Sequence, residues 1–293
     1  MAKIAVELER AVARREVHGG SGSPTSRILA RGEGWKVQDV ICTAGPRDRA
    51  FEEQHSNISI SIVAAGSFQY RSAAGRELMT PGSVMLGNAG QCFECGHEHG
   101  VGDRCLSFAY TPEYFEALAG GLRPHFPALR LPPIRDLSAL IATACAGLAK
   151  SARIEWEELS VRLAARTLEL MTGASPAANP LPSAIARVTS VVRSIEEWPS
   201  ADHTLAQLAS QARLSPYHFL RTFEQITGVT PHQFLLRVRL REAALRLTEA
   251  GRIHDVALDC GFGDLSNFNR TFRGEFGMSP RAWRNGFGLT ADE

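Results

Sequence analysis

One thirteen-residue pattern that occurs twice constrains the fold of this chain more than any other feature. Residues 219–231 read FLRTFEQITGVTP, and residues 268–280, forty-nine positions later, read FNRTFRGEFGMSP. Both copies keep Phe, Arg-Thr-Phe, Gly, a hydroxyl residue and Pro at the same internal spacing. Such a repeat indicates that one supersecondary unit is built twice along the chain.

Each copy is predicted to form a helix-turn-helix unit. In the first, at about 205–227, Ser215 suits the N-cap of the second helix and Pro216 its first position, where no N–H is needed. The apolar residues of that helix recur at i, i+4 and i+7 and must face the core: Phe219, Phe223 and Ile226. The second copy, at about 253–276, repeats the construction with Asp264 as the cap. A compact helix pair of this kind can place its second helix in a DNA major groove.

A long helix is predicted to join the two units. Residues 231–249 contain few helix breakers and have apolar positions on more than one side. As a helix they would span about 28 Å, against the ~34 Å between successive major-groove faces of DNA. The segment therefore suits a strut that holds two reading helices about one DNA turn apart. Its arginines are assigned to backbone phosphates or to acidic neighbours: Arg237, Arg239, Arg241 and Arg246.

The basic residues of this region are all arginine. Residues 182–285 contain thirteen Arg, no Lys and ten Asp or Glu, which gives a net charge of +3. Arg binds phosphate and guanine bidentately, so this composition favours a nucleic-acid partner, while a GC-rich genome would produce the same bias. A helical array that contacts other proteins is the alternative interpretation of the repeat.

The stretch DVALDCGFGDLSNFNRTFRGEFGMSPRAWR, residues 255–284, carries a resemblance to a known family. Through it, residues 185–285 resemble the DNA-binding domain of the AraC/XylS family of transcription regulators. The resemblance implies two helix-turn-helix units on a central helix that read adjacent major grooves of double-stranded DNA, with RNA polymerase as a further partner. It assigns base contacts to outward residues of the two reading helices: Tyr217, Leu220, Arg221, Leu265, Ser266, Asn267, Asn269 and Arg270.

A second domain is predicted upstream of these helices. Residues 173–184, rich in Pro, Gly, Ala and Ser, are typical of a linker between residues 1–172 and residues 185–293. Short alternating segments within residues 35–110 indicate a small β-barrel or sandwich. Helical periodicity over residues 136–172 predicts trailing helices that either form a homodimer surface or cover the barrel. The predicted fold class is α+β with two domains, and the N-terminal one resembles the cupin-like sensory barrels that accompany this DNA-binding domain.

A cluster of metal-ligand residue types lies within this first domain. Residues 91–105 read QCFECGHEHGVGDRC and supply Cys92, Cys95, His97, His99 and Cys105. In a β-strand Cys95, His97 and His99 would share one face, and a hairpin would bring Cys105 back to them. Thiolate and imidazole groups are preferred zinc ligands, and the His-x-His pair resembles the metal-binding pair of cupins. A zinc or other metal site, a redox-sensitive or electrophile-sensitive thiol cluster, and ordinary barrel residues without a ligand all remain open.

The composition of the chain argues against a membrane protein and leaves three functional classes to consider. The 293-residue chain is 44% apolar and has no run near the ~18 apolar residues of a membrane span, so we expect a cytoplasmic protein with reduced cysteines and no membrane partner. The favoured function is a sequence-specific DNA-binding regulator, without enzyme activity, whose barrel responds to a small molecule, a metal or a redox signal. The alternative is an enzyme, either a metal cupin fused to a DNA-binding module or a Cys-based acceptor of alkyl groups. A pure interaction protein is the third class.

Overall fold

The chain divides into two compact units, each with its own core. The computed structural model describes residues 2–48, 52–120, 125–149, 154–171, 180–249 and 251–287. The barrel unit contains Ala2–Pro132 and Glu155–Ala186, and the helical unit contains Pro133–Ile154 and Arg187–Glu293. Residues 172–179, which include most of the predicted linker, lie outside the described residues. The predicted two-domain α+β class is confirmed.

Two antiparallel sheets build the barrel unit. The strands are β1 (Pro24–Gly32), β2 (Trp35–Cys42), β3 (Glu52–Gln54), β4 (Ile58–Gly66), β5 (Phe68–Ser72), β6 (Gly75–Met79), β7 (Val84–Gly87), β8 (Cys92–Gly96), β9 (Asp103–Tyr110) and β10 (Arg130–Leu131). One sheet has the order β1-β2-β9-β4-β7-β10, and the other has the order β3-β8-β5-β6. Val63 and Met85 of the first sheet share an apolar cluster with Phe68 and Tyr70 of the second. The two sheets therefore enclose one common interior.

Helices cover this barrel and form the whole of the second unit. They are α1 (Ala2–His18), α2 (Pro112–Leu118), α3 (Arg135–Leu148), α4 (Trp156–Met171), α5 (Pro182–Glu197), α6 (Leu205–Gln211), α7 (Pro216–Thr227), α8 (Pro231–Arg246), α9 (Ile253–Asp259), α10 (Leu265–Phe276) and α11 (Pro280–Gly286). None of the described helices combines the length and the apolar content that crossing a membrane requires.

Helix α1 is fastened to the barrel by a buried arginine. The guanidinium of Arg104 on β9 binds both carboxylate oxygens of Asp39 on β2, each at 2.9 Å. It also donates to the Ile4 carbonyl at 2.9 Å and to the Glu7 carboxylate at 2.6 Å, both on α1. A fully satisfied guanidinium can be buried, whereas an unpaired one would be strongly destabilising.

Helix α8 forms the centre of the helical unit, where ten of its sixteen residues are buried. Near its start, the ring of Phe234 packs edge-on to Phe223 of α7 at a centroid distance of 5.7 Å. Towards its end, Trp283 of α11 donates from its indole nitrogen to the Ala244 carbonyl at 3.0 Å. Ala142 of α3 joins this second part of the core. Helix α3 thus packs within the helical unit. The two alternatives for the trailing helices, a homodimer surface and a cover for the barrel, did not include this position.

Both helix-turn-helix units form as predicted. The first consists of α6 and α7 and the second of α9 and α10. Ser215 and Asp264 are the N-caps of α7 and α10, and Pro216 is the first residue of α7. The predicted strut is α8. It ends at Arg246 instead of residue 249 and is therefore three residues shorter than expected.

The turn of the second unit depends on Gly261. Its φ is +82°, and a Cβ atom there would lie 3.0 Å from both the Arg239 guanidinium and the Ser200 backbone. Arg239 is fixed in that position because it donates to the carbonyls of Pro199, Gly261 and Ala201 at 2.7, 2.9 and 3.0 Å. Gly261 is therefore required both for its backbone conformation and for the space it leaves.

We predict that Gly261→Ala lowers the free energy of unfolding by at least about 2 kcal/mol, because backbone strain of about 1 kcal/mol adds to overpacking. Gly277→Ala is the matched control, since Gly277 has a φ of +77° but open space where its Cβ would lie. The control should lose only about 1 kcal/mol. Chemical denaturation of the full chain, followed by helical circular dichroism, measures both. Equal losses in the two variants would contradict the close approach of Arg239.

Candidate nucleic-acid interface and barrel cavity

Helix α10 has one face in the core and the other in solvent. Phe268, Phe272 and Phe276 recur at i, i+4 and i+8 and are buried. Asp264 caps the helix by accepting the Asn267 N–H at 2.6 Å. The opposite face presents four of the residues assigned to base contacts: Leu265, Ser266, Asn269 and Arg270. Hydroxyl, amide and guanidinium groups on one helix face suit hydrogen bonding to base edges in a major groove.

Asn267 differs from the other residues of α10 that were assigned to bases. Its side chain is half-buried, and its Oδ1 accepts a hydrogen bond from Arg270 Nη2 at 3.2 Å. The Thr271 hydroxyl donates to the Asn267 backbone carbonyl at 2.7 Å. In this arrangement Asn267 is better placed to orient the Arg270 guanidinium than to reach a base.

Helix α7 repeats the arrangement with a less polar outer face. Ser215 Oγ accepts the His218 N–H at 3.4 Å at the start of the helix. Arg221 and His218 are exposed, and Leu220 is half-buried. The side chain of Tyr217 lies outside the described part of the chain. Arg221 is therefore the described residue of α7 best suited to hydrogen-bond a base.

The three arginines of α8 that were candidates for phosphate binding face the interior of the helical unit. Arg241 is buried, with Glu196 among its electrostatic neighbours. Arg237 donates to the Glu275 carboxylate at 3.0 Å, and Arg239 is held by the three carbonyls described above. These contacts favour acidic neighbours and backbone carbonyls over phosphates for the three arginines, because the covered sides of a helix place such acceptors beside the guanidinium groups.

Positive charge on the surface of the helical unit comes from other arginines. The exposed arginines outside the residues assigned to bases include Arg213, Arg252, Arg273 and Arg281. Sequence reasoning missed Arg213, which has a φ of +54° in the turn between α6 and α7. Arg246 takes the acidic-neighbour alternative, because it pairs with Glu242 at 2.6 Å and with Asp259 at 3.3 Å.

A cavity of about 190 Å³ lies between the two sheets of the barrel unit. Its wall includes six side chains with metal-binding or acid–base chemistry: Cys42, Glu53, His55, Cys95, Asp103 and Cys105. Aromatic and apolar groups, among them Phe68, Met85 and Phe93, complete the lining. A small cavity with several convergent polar groups is typical of a ligand site.

The structure separates the five residues of the predicted Cys/His site. Cys92 is exposed, whereas Cys95 and Cys105 line the cavity. His99 is directed to the Ser67 hydroxyl at 3.0 Å. Among the described residues, one group of possible metal ligands has its ligand atoms within 4.8 Å of one another: Cys42, His97 and Asp103. Of the five predicted residues, His97 alone belongs to this group. Sequence reasoning missed Cys42 and Asp103, because strand pairing rather than sequence proximity joins them.

Burial controls the ionisation of the cavity wall. It raises the pKa of the Cys42 thiol to about 12, and the carboxylate of Asp103 adds to this effect. Burial and the same carboxylate also raise the pKa of the Cys95 and Cys105 thiols. Burial lowers the pKa of His55 to about 4.

Comparison with known proteins identifies both units. The profile of the AraC-like ligand binding domain matches residues 39–167, and that of a helix-turn-helix domain matches residues 208–286. The chain belongs to the AraC/XylS family. The match over residues 208–286 extends across both helix-turn-helix units, from α6 to α11.

Similarity to individual members of the AraC/XylS family is confined to part of the chain. The HTH-type transcriptional activator RhaS of Klebsiella pneumoniae (strain 342) is 36% identical over 102 residues, which are 34% of this chain and 37% of that protein. The HTH-type transcriptional regulator Rv1931c of Mycobacterium tuberculosis is 35% identical over 89 residues, 29% of this chain and 33% of that protein. The chain thus spans about a third of the length of these curated relatives. Among solved structures, one similar chain is in the crystal structure of the DNA-binding domain of AdpA in complex with a target DNA. The two sequences are 30% identical, the match covers 34% of this chain and 92% of the AdpA chain, and the TM-score is 0.34.

Because His55 is buried and neutral, we predict that the free energy of unfolding depends on pH. Its ring lies 2.8 Å from the Tyr70 hydroxyl and stacks on Phe93 at a centroid distance of 4.2 Å. Because its pKa is about 4 in the folded protein and ~6.5 when unfolded, the unfolded state binds more protons between these values. The free energy of unfolding should therefore rise with pH across this window, by up to about 3 kcal/mol from this residue, and level off above it.

The measurement is chemical denaturation of wild type and His55→Gln between pH 4 and pH 7. We expect a shallower rise in the variant than in wild type. Exposed His125 supplies the control, and His125→Gln should keep the wild-type slope. An unchanged slope in His55→Gln would contradict the burial of a neutral imidazole.

Proposed function

We propose that the chain is a sequence-specific DNA-binding transcription regulator. Helices α7 and α10 enter adjacent major grooves, and a chemical signal received by the barrel unit modulates their binding. The observation that carries this proposal is the pair of capped helices whose apolar faces pack on α8 and whose polar faces remain exposed. Rigid mounting on one helix suits groove reading, because two probes must keep a fixed spacing to match the DNA turn.

In this proposal α10 supplies most of the base readout. Arg270 is suited to guanine, Asn269 to adenine, and Ser266 to either kind of base edge. The exposed Leu265 offers apolar contact to a thymine methyl group. In α7 the readers are Arg221 and, from the family resemblance, Tyr217 and Leu220. Asn267 completes the set by orienting Arg270.

Contacts to the DNA backbone are assigned to arginines outside α8. Arg213, Arg252, Arg273 and Arg281 are exposed, and each can neutralise a phosphate. The family match and relatives named as transcriptional activators support activation. RNA polymerase is the protein partner that this proposal assigns to activation. The proposal assigns no catalytic step to the chain.

Selection of random DNA duplexes on the full-length protein tests the proposal. We expect enrichment of paired sequence elements about 10 bp apart, because two helices in successive grooves read one face of the duplex. Failure to enrich any sequence would contradict sequence-specific binding. Enrichment of one short element, unaffected by substitutions in α7, would contradict the use of both helices.

We predict that Arg270→Ala weakens binding to the selected site by about 1 to 3 kcal/mol and relaxes the preference at one base pair. Arg162→Ala is the matched control, since it removes the same charge from an exposed residue of the barrel unit. The control should retain both affinity and preference. Fluorescence anisotropy at constant salt concentration, on the selected site and on single-base variants of it, measures both quantities. Equal losses on every DNA sequence would place Arg270 on phosphate instead.

A further inference from the structure

Three metal-ligand side chains of different types converge in the barrel unit. In the pairing of β2 with β9, Cys42 is directly opposite Asp103, so both side chains lie on the same face of the sheet. That face lines the cavity, because both residues belong to its wall. His97 follows β8 directly, and the short connection from β8 to β9 returns it to Asp103. One ligand atom from each of the three lies within 4.8 Å of the others.

We propose that Cys42, His97 and Asp103 bind a divalent cation of the zinc class, and that its occupancy is the signal sensed by the barrel. The second half of this statement rests on the proposed function. Thiolate, imidazole and carboxylate are the three ligand types that zinc takes in proteins. The mixed donor set with sulfur disfavours magnesium and calcium, which require oxygen ligands.

The surroundings of Asp103 support a cation at this position. Asp103 is buried and has one oxygen 2.6 Å from His97 Nε2 and the other 3.6 Å from Cys105 Sγ. Within the described ranges, no Lys or Arg pairs with it, because the neighbouring Arg104 is turned to Asp39 and α1. A buried carboxylate that has an imidazole but no Lys or Arg beside it lacks a permanent counter-charge, and a bound divalent ion would supply one.

The site has an open side towards the cavity. Three protein ligands leave the fourth position of a tetrahedral zinc ion vacant, as in zinc sites that bind water or a small molecule. Two of the three ligands, Cys42 and Asp103, line the cavity, so the proposal assigns that position to the cavity side. The arrangement differs from a His-x-His site, since His99 is directed to Ser67 and is not part of the cluster.

Direct metal binding tests the site. Full-length protein is stripped with chelator under reducing conditions and titrated with Co²⁺, then with Zn²⁺ in competition. We expect about one ion per chain and the near-ultraviolet charge-transfer absorption of a cobalt–thiolate bond, which Zn²⁺ abolishes. Cys42→Ser should remove this absorption and weaken binding at least about tenfold.

Two further variants make the result decisive. Cys92→Ser is the control, because Cys92 is an exposed thiol of the same segment, and it should bind as wild type does. Asp103→Asn keeps the size of the side chain and should weaken binding while leaving the cobalt–thiolate absorption of the residual complex; it serves alone if Cys42→Ser does not fold. Absence of metal binding by folded wild-type protein, or wild-type affinity in both Cys42→Ser and Asp103→Asn, would overturn the site.

The regulatory half is tested separately, with a duplex chosen by the selection described above. We expect the affinity of wild-type protein for this duplex to change at least fivefold between the metal-free and Zn²⁺-loaded forms, and that of Cys42→Ser to stay constant. Metal binding with unchanged DNA affinity would overturn the signalling role alone. Metal binding by a protein that selects no DNA in either form would instead refute the proposed function and leave the site standing.

Discussion

The burial of α8 on most of its sides is the constraint on which the helical unit depends. A helix with apolar residues on more than one side must be covered on those sides, and here α7, α10, α11 and α3 pack around it. Each reading helix therefore packs its Phe residues against one rod and leaves its polar face in solvent. The same burial determines which groups surround the side chains of Arg237, Arg239 and Arg241. Arg237 binds the Glu275 carboxylate and Arg239 binds backbone carbonyls, among them that of Gly261. Arg241 is buried, with Glu196 among its electrostatic neighbours.

The barrel unit depends in a similar way on strand β9, whose side chains point alternately to the two faces of the sheet. Along β9, Asp103, Cys105 and Ser107 point into the cavity, whereas Arg104 points to the opposite face and fastens α1. A shift of one residue in the pairing of β2 and β9 would exchange these faces, placing the guanidinium in the cavity and the carboxylate beneath α1. The double hydrogen bond between Arg104 and Asp39 opposes such a shift. The chemistry of the cavity and the attachment of α1 thus depend on the same register.

Local signals in the sequence predicted the helical unit well, because caps, aromatic spacing and turn glycines all act within a few residues. Ser215, Asp264 and the Phe residues of both copies lie where those signals indicated. The cavity was not predictable in this way. Cys92 and Cys95 are close in sequence but differ in exposure, while Cys42 and Asp103 are sixty-one positions apart and become neighbours only through strand pairing. Periodicity likewise indicated apolar positions on more than one side of α8, but not that its arginines would be partly enclosed.

One of the chain connections between the two units begins at the wall of the cavity. Met85 of β7 lines the cavity and pairs with Arg130 of β10, after which the chain continues into α3 of the helical unit. There the Ser138 hydroxyl of α3 donates to Glu275 of α10, the carboxylate that also holds Arg237 of α8. A ligand shifts an equilibrium only by its differential affinity for two states. An ion in the cavity can therefore act on α10 through this route only if β7 and β10 adopt two arrangements that bind it unequally.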